Sequence, residues 1–164
     1  MKTAVLVGTS HKYELPDIPS SAKFRRFIER VCSANAIRSI AEEMSIEALQ
    51  QTQALESTCE IVANSRGIPH KYCDPNNDKR SRLGIRGETD IRLQGFHQDW
   101  DEDSIEAAVR VSHQIREAYW LRQILALDVW PALFVCGANH VGHFADLLKE
   151  HGINTEIAAS DWEP

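Results

Sequence analysis

No stretch of this sequence approaches the roughly 18–20 consecutive apolar residues of a membrane span, so no transmembrane helix is expected. The apolar part of Met-Lys-Thr-Ala-Val-Leu-Val-Gly is too short for a signal-peptide core and begins the fold directly. There is no Cys-x-x-Cys. The four cysteines (Cys32, Cys59, Cys73, Cys136) are scattered, as expected of reduced, mostly buried thiols in a cytoplasmic protein. Gly-x-Gly-x-x-Gly and P-loop patterns are missing, which disfavours nucleotide cofactors. A Gly-x-Ser-x-Gly elbow is missing too, which disfavours a serine hydrolase of the α/β type. Nor is there an excess of positive charge. The formal net charge is −6 and the pI about 5.6, which argues against nucleic-acid binding as the main task. Repeats and low-complexity segments are absent.

What is present is ordinary for one globular domain: 164 residues, 43% apolar and 26% charged. Short apolar runs alternate with amphipathic stretches. Residues 3–8 read as a central strand, 21–34 as a helix with Phe24, Phe27, Ile28 and Val31 on one face, and 36–41 as a second strand. Ser45 caps a helical stretch, a second helix runs to about Ser65, and Gly67 takes its C-cap role. Residues 68–73 form a weaker third strand. Residues 75–103 have no clear period and read as a long loop or insertion with at most short helical pieces. Asp103 and Glu106 resemble a capping box opening a helix over 104–128. Strand 132–137, helix 141–151 and strand 155–159 complete the chain. This alternation predicts an α/β fold: three αβα layers around a mainly parallel sheet of about five strands.

Two strands end alike, in Gly8-Thr9-Ser10-His11 and Gly137-Ala138-Asn139-His140. In an open parallel sheet, ligands bind outside the carboxyl ends of the strands. Glu42 or Glu43, and Asp74, fall at the ends of the second and third strands, so one rim gathers His11, a glutamate, Asp74 and His140. Gly8 and Gly137 would let the backbone turn sharply and approach a ligand. His143 follows His140 by one helical turn. Arg116-Glu117, flanked by aromatics in mid-helix, suggests a partly buried charged pair. Two imidazoles and a carboxylate can hold a divalent metal that activates water, with His11, Glu42 and His140 as ligands, or can serve as base and acid without metal. The candidate catalytic set is His11, Glu42, Glu43, Arg116, Glu117 and His140, and the chemistry in either case is hydrolytic. A histidine after a strand is also an ordinary turn residue, and Asp74 before Pro75 an ordinary turn starter. His70, His97, His113 and His151 read as structural or exposed.

Paired Gly-x-x-His motifs with a glutamate pair between them resemble the TraB/TIKI superfamily, which includes erythromycin esterase-like and haem-binding ChaN-like proteins. The matching pieces are Gly8 to His11, Glu42-Glu43, Arg116-Glu117 and Gly137 to His140. The chain would be a short member. The resemblance implies one site built from these His and Glu residues on an α/β core. It implies metal-dependent peptide hydrolysis (Mn, Co or Zn), a histidine base acting on a lactone, or haem binding without hydrolysis. The expected function is therefore a small cytoplasmic hydrolase of peptide or ester bonds, with a non-catalytic ligand-, metal- or haem-binding protein as the alternative. The expected partner is a small-molecule or peptide substrate, with no nucleic acid and no membrane. A homo-oligomer stays open as a way for a short member to cover apolar surface.

Overall fold

A strand that is apolar on both faces must lie inside a sheet covered on both sides. Thr3–Thr9 (β1) is such a strand, buried from Ala4 onward, and Ala132–Gly137 (β4) is another. Together with Ser39–Glu42 (β2), His70–Tyr72 (β3) and Asn154–Trp162 (β5) they form one five-stranded, all-parallel sheet in the order β3-β2-β4-β1-β5. This computed structural model describes residues 1–164.

The helices are Ser21–Ala34 (α1), Ile46–Gln51 (α2), Thr58–Arg66 (α3), Asn77–Leu83 (α4), Glu88–His97 (α5), Glu102–Leu127 (α6) and Val141–Glu150 (α7). Because successive strand side chains point to opposite faces, β1 gives Val5 and Val7 to one layer and Ala4 and Leu6 to the other. Phe24, Ile28 and Val31 of α1 and Cys59, Val62 and Ala63 of α3 cover the first face. Trp120, Leu121 and Ile124 of α6 and Phe144, Ala145 and Leu148 of α7 cover the second. The expected three-layer αβα architecture is the one found. No helix is long and apolar enough to cross a membrane.

The segment 75–103 is an insertion built around two short helices rather than an unstructured loop. It holds α4, capped by Asn76 accepting from the Lys79 N–H at 2.9 Å, and α5. Each buries too little to show a period: α4 nothing, α5 only Ile91 and Gly95 against the start of α6. The α6 cap is Asp101, which accepts from the Ser104 N–H at 2.7 Å, rather than Asp103. Gly67 ends α3 in the left-handed region, with φ of 64°.

Candidate functional site

The order of strand addition reverses at the middle of the sheet. β1 leads through α1 toward β2 on one side, while β4 leads through α7 to β5 on the other. The two connections lie on opposite faces. Their adjacent carboxyl ends, where Thr9 pairs with Gly137, therefore open a crevice at the switch point. Both Gly-x-x-His motifs end there. His11 starts a short 3-10 turn, His11–Glu14, and His140 closes another, Ala138–His140, that runs directly into α7.

The two imidazoles are held alike. His11 donates from Nδ1 to Glu14 Oε2 at 2.6 Å, and His140 donates from Nδ1 to Glu117 Oε1 at 2.7 Å. Each carboxylate is buried, and each leaves Nε2 facing the crevice, where both meet Glu43. Glu43 Oε1 lies 3.4 Å from His11 Nε2, 3.9 Å from His140 Nε2 and 2.6 Å from Arg116 Nη1. The Arg116 contact is an ion pair without hydrogen-bond geometry, so Oε1 has no formal hydrogen-bond partner. Glu43 Oε2 accepts from the Gly137 N–H at 2.7 Å, tying the end of β2 to the end of β4. Behind this group, Asp74 takes Arg116 Nε at 2.6 Å, Trp120 Nε1 at 3.0 Å and the Arg80 guanidinium.

The charges follow from these contacts. Burial opposes ionisation of Glu43, but Arg116, then His11 and His140, outweigh it and hold the carboxyl at about 2. Burial also opposes charge on His11, yet Glu14 and Glu43 together raise it to about 11, which favours its protonated form at neutral pH. Burial drives the Glu14 carboxyl up, against the pull of His11. Cys136, buried beneath Glu43, is pushed well above the ordinary thiol range first by burial and is no nucleophile.

The structure brings His11, Glu43, Arg116, Glu117 and His140 into one cluster. Glu42 does not join it. As the last residue of β2 it alternates with Glu43. Ile40 and Glu42 face α3, whereas Ala41 and Glu43 face α6. Glu42 instead accepts from His70 Nε2 at 2.6 Å and from the Ser57 hydroxyl, so it does not stand with His11 and His140 in one ligand set. His143 is exposed and takes a hydrogen bond from Arg110 at 2.8 Å, outside the cluster. Gly8 is not a turn residue. A Cβ there would meet the Ser160 carbonyl oxygen at 2.0 Å, so it permits the close approach of β5 rather than of a ligand. Gly137 does face the site: a Cβ would sit 3.4 Å from Glu43 Oε2 and 3.6 Å from His11 Nε2.

A metal fits poorly. No three His, Cys, Asp or Glu side chains are arranged to hold one. Glu42 stands apart, and Glu43, the carboxylate left between His11 and His140, is already paired with a resident cation, the Arg116 guanidinium. Haem fits poorly too. The cleft measures about 370 Å³, and Ile85 and Ala138 are its only apolar lining residues.

Two contributors, Glu14 and His113, lie outside the candidate set, while Arg80 and Arg86 belong to the basic segment 79–92, which the sequence offers either as a solvated loop or as an attractor of an anionic ligand. Glu14 completes the His11 pair, and its only trace is the His-x-x-Glu spacing of one turn. His113, taken as structural, lies with its ring 4.3 Å from that of His140 and lines the cleft, as do Arg80 and Arg86 from the segment read as loop. Burial, then His140, lowers the His113 pKa, keeping that ring neutral beside its neighbour.

Fold and site together define a three-layer α/β protein with a polar cleft at the switch point of its sheet, flanked by two carboxylate-oriented histidines. Comparison with protein-family models, with curated proteins and with solved structures finds no match for the chain.

Proposed function

We propose that the cleft is a metal-free hydrolytic site for ester or amide bonds, and that the chain is a short relative of the TraB/TIKI superfamily. The observation that carries this reading is the pair of Glu–His couples, Glu14–His11 and Glu117–His140, aimed from opposite strands at one space. A base oriented by a third group is the recurring arrangement of hydrolytic catalysis. With Nδ1 donating to Glu117, His140 offers the lone pair of Nε2 to an attacking water and takes its proton. The His11 imidazolium and Arg116 supply positive charge where the carbonyl oxygen becomes negative. His11 then passes its Nε2 proton to the leaving oxygen or nitrogen. Glu43 keeps both cations in place and balances their charge. Four free, buried thiols support placing the protein in a reducing compartment such as the cytoplasm.

Turnover of a panel of 4-nitrophenyl esters and simple lactones tests the reading. His140→Gln lowers kcat by at least about 100-fold while leaving the circular dichroism spectrum unchanged. Full turnover in that variant sinks the assignment. One observation favours binding without turnover: no serine or threonine hydroxyl bonds to either imidazole, and Thr9 spends its own on the Trp162 carbonyl at 3.0 Å. A ligand that binds tightly yet emerges unchanged would support that second reading.

A further inference from the structure

A second cavity of about 400 Å³ shares His11, Glu43, Arg80 and Arg116 with the cleft. The two differ in character. Leu15, Met44 and Ala48 give the second a carbon-lined wall. The first is polar and contains Arg86.

Arg86 is unlike the other cations of the cleft. Arg80 and Arg116 are committed to Asp74 and Glu43. The Arg86 guanidinium makes one long contact, 3.4 Å to the Asp90 carbonyl, and no carboxylate lies within ion-pair distance. Its backbone, in contrast, is pinned. The buried Ser112 hydroxyl accepts from the Arg86 N–H at 2.8 Å and donates to the Arg86 carbonyl at 2.7 Å. Ile85 beside it is buried. A rigid backbone thus carries an uncommitted planar cation at the cleft wall, a combination suited to a carboxylate or another planar anion. Asp161 lines the same cavity from the β5 side and has no cationic partner.

We infer that the two cavities are subsites for the two ends of one substrate. The bond to be broken lies over His11, Glu43 and Arg116, a short apolar group fills the Leu15–Met44–Ala48 side, and an anionic group meets Arg86. The inference rests on the hydrolytic reading for its catalysis but not for its binding, and the two can fail separately.

Two probe sets separate them. The first compares 4-nitrophenyl butyrate with the butyrate ester of 5-hydroxy-2-nitrobenzoate, which adds only a carboxylate to the same chromophore. The wild-type kcat/KM favours the carboxylated ester by about tenfold or more. Arg86→Gln brings the ratio near one, and Asp161→Asn raises it. Ala48→Phe, which fills the apolar cavity, shifts preference from butyrate to acetate esters. The second set needs no chemistry: calorimetric binding of 3-butoxybenzoate, an inert ether, against benzoate and butoxybenzene. Binding of 3-butoxybenzoate at least about tenfold tighter than either fragment, weakened by both Arg86→Gln and Ala48→Phe, supports two subsites even if no ester is cleaved, in which case only the hydrolytic reading falls. Equal binding of the three compounds, or a carboxylate preference untouched by Arg86→Gln, overturns the proposal.

Discussion

Replacing Arg116 with Met removes the charge that holds Glu43 ionised while keeping much of the side-chain length. Glu43 is almost fully buried and sits at about 2 rather than the usual 4.5. At about 1.4 kcal/mol per decade, this amounts to about 3 kcal/mol of native stability at neutral pH. Breaking a buried pair from one side costs about 3–5 kcal/mol, which agrees. Asp74 keeps Arg80 and the Trp120 indole, so most of the loss falls on Glu43. The expected result is a loss of about 3 kcal/mol in urea unfolding at pH 7. The sign of its pH dependence is fixed. A depressed carboxyl contributes stability above its unfolded value and loses it as pH falls from about 4.5 through 2. The gap between wild type and variant therefore narrows over that window, because below it both proteins carry a neutral Glu43. Adding Glu43→Gln to the Arg116→Met variant restores more than half of the loss at pH 7. A gap unchanged from pH 7 to pH 3 would refute the reasoning. It would move the effect to the packing of the guanidinium over Trp120, 5.2 Å from the ring centre.

The remaining predictions address His11, two glycines and metal. In NMR titrations of the wild type, the His11 ring stays protonated from pH 5 to 9. Glu14→Gln brings its titration down toward 6.5, and a wild-type midpoint near 6.5 contradicts the assigned contacts. Any stability owed to His11 is complete below pH 6.5 and is lost as pH rises through about 11. Gly8→Ala forces a Cβ into the Ser160 carbonyl and lowers stability by about 1–3 kcal/mol, read by thermal unfolding. Gly137→Ala meets only ordinary contacts, so the fold persists while the added methyl stands between Glu43 and His11 and suppresses binding and turnover. Exhaustive chelation leaves turnover unchanged, and a loss restored by Mn, Co or Zn would overturn the metal-free assignment.

The parts of this structure that the sequence announces are those where one residue type decides. Continuous apolar runs at 3–8 and 132–137 mark central strands, and the matched glycines and histidines after them mark the crevice. The parts it hides depend on pairing across the fold. Whether Glu42 or Glu43 enters the site turns on a one-residue difference in where β2 ends, at Glu42 rather than residue 41, and alternation then sends the two side chains to opposite layers. Glu14 is hidden because a buried carboxylate in a short turn looks like any polar loop residue until its imidazole partner is placed. Arg86 is half legible: its basic segment, 79–92, can be a solvated loop or can attract an anion, but α4 and α5 bury so little that no period says which of its cations faces the cleft.

The order of the strands has a consequence for how the protein comes into being. β4 stands between β1 and β2, with Ala132 beside both Ala4 and Ser39, yet it is made after both. Until residue 132 leaves the ribosome, β1 and β2 have no native neighbour in common and present open hydrogen-bonding edges. The nascent chain must keep these two strands apart or pair them wrongly, and its non-local topology slows the final closure. A stalled or truncated chain ending before β4 would lack His140 and half of the cleft while exposing two sticky strands. Closed strand edges and the cleft itself thus arrive together, with the last two strands to be made, β4 and then β5.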